Sequence, residues 1–156
     1  MVFFYTSKSH PEAVIYMGKD KTENEELIEY AFPRDVWFHV DDYSSAHVYL
    51  RLENLESLEC IPQDLFDEMC QLTKANSIEG SKKHAVDVVY TFADNLLKRT
   101  GMAEGQVGFK IESQRKIAKN VNKDREIYNA LKKSKREEFP DLRQMHIDHM
   151  IIWETK

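Results

Sequence analysis

Asp35-Val36-Trp37-Phe38-His39-Val40 and Ala46-His47-Val48-Tyr49-Leu50-Arg51-Leu52, joined by Asp41-Asp42-Tyr43-Ser44-Ser45, decide the fold. Both runs are rich in β-branched and aromatic residues, and the link has hairpin length. If the hairpin is symmetric about Tyr43, Val40 faces Ala46, Phe38 faces Val48 and Val36 faces Leu50. All six side chains are apolar and share one side of the sheet. On the other side His39 faces His47, Trp37 faces Tyr49 and Asp35 faces Arg51. The two-residue period of a strand sorts every residue this way. A slip of one residue would turn His and Arg into the core, so the register is strongly specified.

Outward from this hairpin the chain reads as more strands and one main helix. Val2–Ser7 and Ala13–Gly18 form a second hairpin around Ser9-His10-Pro11. Thr22, Asn24 and Glu25 supply capping chemistry for a short helix carrying Leu27, Ile28 and Tyr30, which Pro33 ends. Pro62 opens the main helix, with Leu65, Met69 and Leu72 on one stripe. Cys70 lies near that stripe and reads as core. Ala85–Thr91 is a strand, Asp94–Lys98 a helical turn, and Gln106–Ile111 the last strand of the sheet. From about Lys116 to Glu138, Ile117, Val121, Tyr128 and Leu131 fit one helical stripe with few contacts to the sheet, ended by Pro140. The expected fold is α+β: an antiparallel sheet of about five to seven strands, one main packing helix and a C-terminal basic helix.

Composition narrows the function. The chain has 156 residues, 42% hydrophobic and 31% charged, which is one domain with a real core. Two cysteines, Cys60 and Cys70, are too few for a disulfide scaffold or a four-cysteine zinc site and read as reduced thiols in an intracellular protein. The opening MVFFYTSKSH does not read as a signal peptide, and no window has the length of a membrane span. The net charge is −5, but it is unevenly spread: residues 1–60 hold 5 basic and 12 acidic side chains, residues 105–139 hold 10 and 5. An electrostatic partner would land on the basic segment. No phosphate-loop, dinucleotide or nucleophile-elbow motif occurs.

The hairpin face with Trp37, His39, His47, Tyr49 and Arg51 has two readings. Rings, imidazoles and a guanidinium on one open sheet face stack bases and contact phosphates in sheet-based RNA modules. Alternatively the face is covered by a helix, with Asp35 and Arg51 a structural ion pair. A metal or general-base role for His39 and His47 would need further ligands, of which only His84 and Asp41-Asp42 offer themselves. Lys74, Asn76 and Lys82 form one small basic cluster and Lys98 with Arg99 another. Lys132, Lys133, Lys135 and Arg136 make the densest basic run, suited either to polyanion contact or to a solvated helix face.

Asp35–Val40, Ser44–Arg51, Lys74-Ala75-Asn76-Ser77, Asp87–Thr91, and Lys98-Arg99 followed by Gly101 and Gly105-Gln106-Val107 together resemble the NFACT-R family, over roughly residues 1–110. Val2–Thr6 and Tyr16–Lys21 look like the eukaryotic branch in which a single such unit stands alone before a coiled coil. Two features depart from the pattern: Ser44-Ser45-Ala46 replaces a Pro-Gly of the larger relatives, and the chain leaves the coiled-coil pattern after Phe139-Pro140-Asp141-Leu142. The larger relatives accompany ribosome-associated quality control. The resemblance therefore implies a non-catalytic domain that binds nucleic acid, RNA before DNA, with ribosome-associated proteins and a coiled-coil partner as further partners. It implies no cofactor, no metal, and a cytoplasmic or nuclear setting. The expected division is a globular domain over 1–112, a basic helix beginning a coiled coil over 113–140, and a divergent tail over 141–156. A protein adaptor acting through the C-terminal helix is the alternative function, and a His-dependent hydrolase a distant third.

Overall fold

The computed structural model describes residues 1–155, with side chains to Ile152. The strands are β1 (Val2–Tyr5), β2 (Val14–Gly18), β3 (Val36–Val40), β4 (Val48–Arg51), β5 (Ala85–Phe92), β6 (Leu96–Leu97), β7 (Gly108–Phe109), β8 (Lys116–Asn122) and β9 (Arg136–Glu138). The helices are α1 (Lys21–Tyr30), α2 (Gln63–Ala75), α3 (Arg125–Lys132) and α4 (Leu142–Thr155). Seven strands form one antiparallel sheet in the order β8-β5-β3-β4-β2-β1-β9, and β6 and β7 pair separately. This is the α+β fold expected. The central register is also as read: Val36 pairs with Leu50, Trp37 with Tyr49 and Phe38 with Val48.

Both faces of the sheet are covered. On one face Leu65, Met69 and Leu72 of α2 pack on Ile15, Met17, Val36, Phe38, Val48 and Leu50, all at most 3% exposed. On the other face Tyr16, Trp37, Tyr49 and Val89 are buried with Leu27 of α1, Ala31 just after it and Leu96 of β6. Val107, Phe109 and Leu142 pack against this second cluster. The supposed open face is therefore a second core. Tyr16 and Tyr49 stack with centroids 4.8 Å apart and planes 5° from parallel. At its edge Arg51 grips Asp35 with two donors, Nε at 2.9 Å and a terminal nitrogen at 2.8 Å. Asp35, 1% exposed, also accepts from the Tyr16 hydroxyl and the Phe32 amide. A charge this deeply buried is tolerated only when paired and hydrogen-bonded.

The elements flanking this frame differ from expectation in several places. Asp20, not Thr22, caps α1, its carboxylate accepting from the Glu23 amide at 2.9 Å. Pro62 is the cap residue before α2 rather than its first residue. The segment around Asp94 is a single tight turn, Ala93–Asn95, running into β6. Residues around Gln106–Ile111 contribute only β7, outside the main sheet.

The largest correction concerns residues 116–138. They form strand, short helix and strand rather than one basic helix. β8 pairs with β5 and β9 with β1, so the main sheet runs to Glu138 and a boundary at 112 falls before two of its strands. Asp124 caps α3 by accepting from the Glu126 and Ile127 amides, and its Leu131 is 1% exposed in the first core. Residues 141–155, expected as a tail, hold α4, which docks on α1: the His146 ring nitrogen lies 3.1 Å from the Tyr30 carbonyl.

Leu131→Ala should thus lower stability by about 2–5 kcal/mol, the cost of emptying a buried leucine site. Ending the chain before Asn120 should remove the cooperative urea transition of the full chain. Retention of that transition at an unchanged midpoint would show that α3 and β9 are not part of the core.

Candidate nucleic-acid interface

The turn joining β3 to β4, residues 41–47, is held by the end of α2. The Asn76 carbonyl accepts from the Ala46 amide at 3.0 Å, and the Ser77 hydroxyl donates to the Ser44 carbonyl at 2.6 Å. Ser45 closes the turn from inside, accepting from the Val40 amide at 3.2 Å. The Asn76 side chain returns to its own helix, donating to Leu72 O at 2.9 Å. Lys74 is 2% exposed, and its ammonium donates to the carbonyls of Gly80 (3.0 Å) and Lys83 (2.8 Å). Burial lowers its pKa, with Lys123 adding to the effect. Lys74 and Asn76 are thus supports of the turn rather than exposed contacts. Lys82 is exposed on the neighbouring turn.

Two depressions flank the hairpin tip. The first, about 330 Å³, lies between Lys19 and Lys21 at the start of α1, Ser44 and Ser45 of the tip, Asn76 and Ile78 beyond α2, and Lys135. The Lys135 ammonium sits 4.0 Å from the centre of the Phe3 ring, which positions it by cation–π attraction. Ile78 is 77% exposed. Three ammonium groups, the Ser44 hydroxyl and an exposed apolar side chain, set against the single carboxylate of Asp20, which caps α1, leave a positive groove that can hold a phosphodiester backbone and touch a base. The rest of the basic run does not converge here: Lys132 lies 6.0 Å from the Tyr128 ring, Arg136 pairs with Glu138 at 2.8 Å, and Lys133 is exposed at the end of α3.

The second depression, about 360 Å³, lies on the other side of the tip, between His39, Asp41, Asp42 and the 105–109 segment. Trp37, 2% exposed, donates through Nε1 to His47 Nδ1 at 3.0 Å. His47, 3% exposed, is also tied to the backbone of Gly105. Burial, helped by neighbouring His39, holds the His47 pKa down at about 3. It is therefore a neutral tie between β4 and the loop, not a cationic phosphate ligand. The same loop is fixed to α1: the Gly105 amide donates to Glu25 at 2.8 Å, and Lys98 pairs with Glu25 at 2.9 Å. Partial burial works against ionisation of Glu25, yet the Gly105 amide and Lys98 hold its pKa below the usual value. Gly105 has φ +82°, a backbone state that favours glycine. Lys98 is spent on this bracing, whereas Arg99 is exposed.

The sequence-predicted face is thereby redistributed. Trp37 and Tyr49 are core and present no ring for stacking, Arg51 is bound to Asp35, and His47 is a tie. Of the two that remain half-buried, His39 lines the depression at the hairpin tip, whereas Arg51 lines a separate one with Phe32 and Asp35. Sequence reasoning passed over Lys19, Lys21, Ser44, Ser45, Ile78 and Arg115. The available signal was that the segments Tyr16–Lys21, Ser44–Arg51 and Lys74–Ser77 all carried the family resemblance while lying far apart in the chain. Among the described residues, no group of three or more His, Cys, Asp or Glu side chains is arranged to hold a metal ion.

An α+β domain that gathers lysines from two segments far apart in the chain around one hairpin tip belongs in class with nucleic-acid-binding modules. The chain is a member of the NFACT-R family: the profile described as NFACT protein RNA binding domain matches residues 1–111. It is 51% identical over 144 residues to coiled-coil domain-containing protein 25 of Mus musculus, covering 91% of this chain and 69% of the mouse protein. It is 40% identical over 146 residues to protein JLP2 of Saccharomyces cerevisiae, covering 89% of this chain and 70% of the yeast protein. The C-terminal part of the fibronectin/fibrinogen-binding protein of Streptococcus suis shares the fold with a TM-score of 0.66 at 22% identity, over 85% of this chain and 48% of that one. Membership supports nucleic-acid binding in general. The family is described by RNA binding, and these relatives are not named as enzymes.

The neutral state of buried His47 has a thermodynamic consequence. Its folded pKa lies below that of an unfolded histidine, so its contribution is complete above about pH 6.5 and is lost as pH falls toward 3. Between pH 7.5 and 5 this one group should cost about 2 kcal/mol of stability. Urea titrations at the two pH values should show a correspondingly smaller loss in His47→Gln than in the native chain. An identical pH dependence in both proteins would contradict the buried neutral imidazole.

Proposed function

We propose that this chain is a non-catalytic RNA-binding domain, taking transfer or ribosomal RNA in a cytoplasmic, ribosome-linked setting. One observation carries the reading. Lys19, Lys21 and Lys135 come from opposite ends of the chain and meet beside Ser44 and Ser45 in one groove. The chain is acidic overall, so this local concentration of ammonium groups is the natural landing place for a polyanion. The groove lies at the hairpin tip, where the loop hydrogen bonds to Asn76 and Ser77 hold its hydroxyls in place. RNA is favoured over DNA by the family description, and unpaired RNA by the small size of the depressions.

A second reading, a protein adaptor acting through the C-terminal helix, rests on α4. There Met145, Ile147, Ile151 and Ile152 are 38–57% exposed, an apolar surface of the kind that meets partner helices.

A salt titration of affinity for single-stranded RNA separates the two. Replacing Lys19, Lys21 and Lys135 together by Ala should weaken binding to every sequence and flatten the log–log salt slope by about 0.7 per lost phosphate contact. Lys132→Ala with Lys133→Ala should leave the slope near that of the native chain. Failure of the native chain to bind RNA at low salt would remove this reading and favour the adaptor.

A further inference from the structure

The second depression differs chemically from the lysine groove. Its rim carries the carboxylates of Asp41 and Asp42, and its wall carries the His39 ring, which stacks on Trp37 with centroids 5.4 Å apart and planes 17° from parallel. His39 Nδ1 lies 2.5 Å from the Val40 carbonyl. A carbonyl only accepts, so Nδ1 carries the proton, and the neutral ring keeps Nε2 as an acceptor. Arg115 lines the same depression, its guanidinium 5.4 Å from the centre of the Phe109 ring and 3.2 Å from Glu112. The volume of about 360 Å³ is that of a small-ligand pocket.

Carboxylates at the rim repel phosphate, so a nucleotide would enter base first and leave its phosphate outside. The occupant must be flat enough to lie against His39 and Phe109, must offer N–H donors to Asp41, Asp42 and His39 Nε2, and must offer acceptors to Arg115. Guanine alone among the four RNA bases has two adjacent donors, N1–H and the N2 amino group, on one edge, and two adjacent acceptors, N7 and O6, on another. Arginine pairs well with the second edge. Adenine places the N1 acceptor where guanine has a donor and so would set a lone pair against a carboxylate.

We propose that the depression between His39, Asp41, Asp42 and Arg115 is a pocket for one unpaired guanine base of the bound RNA. The proposal deepens the RNA-binding reading and rests on it for its natural ligand. The tip loop would then lie between backbone and base, with phosphates on the lysine side and the guanine on the acidic side. Gly105, which borders the base pocket, approaches Lys21 of the groove: a Cβ built on it would stand 3.9 Å from the Lys21 side chain.

Two titrations of the full chain test it. GMP, with AMP for comparison, is followed through the His39 imidazole resonances. A short oligouridylate carrying one central G is compared with the same RNA carrying one central A. The pocket predicts His39 shifts with GMP and much smaller ones with AMP, and about tenfold tighter binding of the G-containing RNA. Asp41→Asn and Asp42→Asn should each bring the G-to-A ratio toward one. Asp42 is exposed and holds left-handed backbone (φ 67°), which asparagine adopts as readily, so Asp42→Asn preserves the loop. Equal binding of the two RNAs with unmoved His39 resonances would overturn the pocket and leave the RNA reading standing. A guanine preference unaltered in both variants would overturn it as well. GMP binding at His39 without any RNA binding would uphold the pocket and overturn the RNA reading, and absence of both would overturn both.

Discussion

The register between β3 and β4 is the constraint on which the other parts depend. With Trp37 opposite Tyr49 and Phe38 opposite Val48, one face of the hairpin presents an apolar surface of Val36, Phe38, Val48 and Leu50 to α2 and the other an aromatic surface to α1 and the β6–β7 ribbon. The same register places Arg51 beside Asp35 and His47 within reach of the Trp37 indole. A one-residue slip of β4 would strand a guanidinium and an imidazole in the first core, and a slip of β3 a carboxylate and an imidazole. Each buried polar group left without its partner would then cost on the order of 1–3 kcal/mol. The polar residues of the hairpin therefore enforce the pairing as strongly as the apolar ones.

Covering both faces of the sheet has a functional consequence. An open sheet can bind across its surface; a sheet buried on both sides can bind only at its rims and loops. Here the hairpin tip is the rim at which the chain gathers its supports. Asn76 and Ser77 hold the tip from α2, and His47, Glu25 and Lys98 hold the neighbouring 98–107 loop. Several residues that carry the family resemblance, among them His47, Asn76, Ser77 and Lys98, are thus scaffolding for a surface, while Lys19, Lys21 and Ser44 of the same resembling segments face solvent on it together with Lys135, which lies outside them.

The hairpin, its register, the helix on Leu65, Met69 and Leu72 and the buried Cys70 were legible in the sequence, because a two-residue or a 3.6-residue period needs only local information. Which side of the hairpin is covered was not. Trp, Tyr and His serve a second core as well as a binding face, and the ribbon that covers them contributes only four residues of strand. Residues 116–138 misled for a different reason. Ile117, Val121, Tyr128 and Leu131 suit a helical stripe, yet the first two sit on an edge strand whose lysines guard against further pairing, and β9 is wholly charged. Their partners, β5 and β1, lie far away in sequence, and no local pattern announces them. The lysine groove was hidden likewise, since Lys19 and Lys135 meet only through the β1–β9 and β1–β2 pairings.

Mapping RNA contacts by backbone amide chemical shifts, with a short single-stranded RNA added to the full chain at low salt, tests the central claim most directly. If the hairpin tip is the interface, the largest changes fall in residues 18–21, 41–46 and 103–107 and at Lys135. Changes confined to the α2–α3 surface around Lys123 and Arg125, or to α4, with the tip unperturbed, would contradict it.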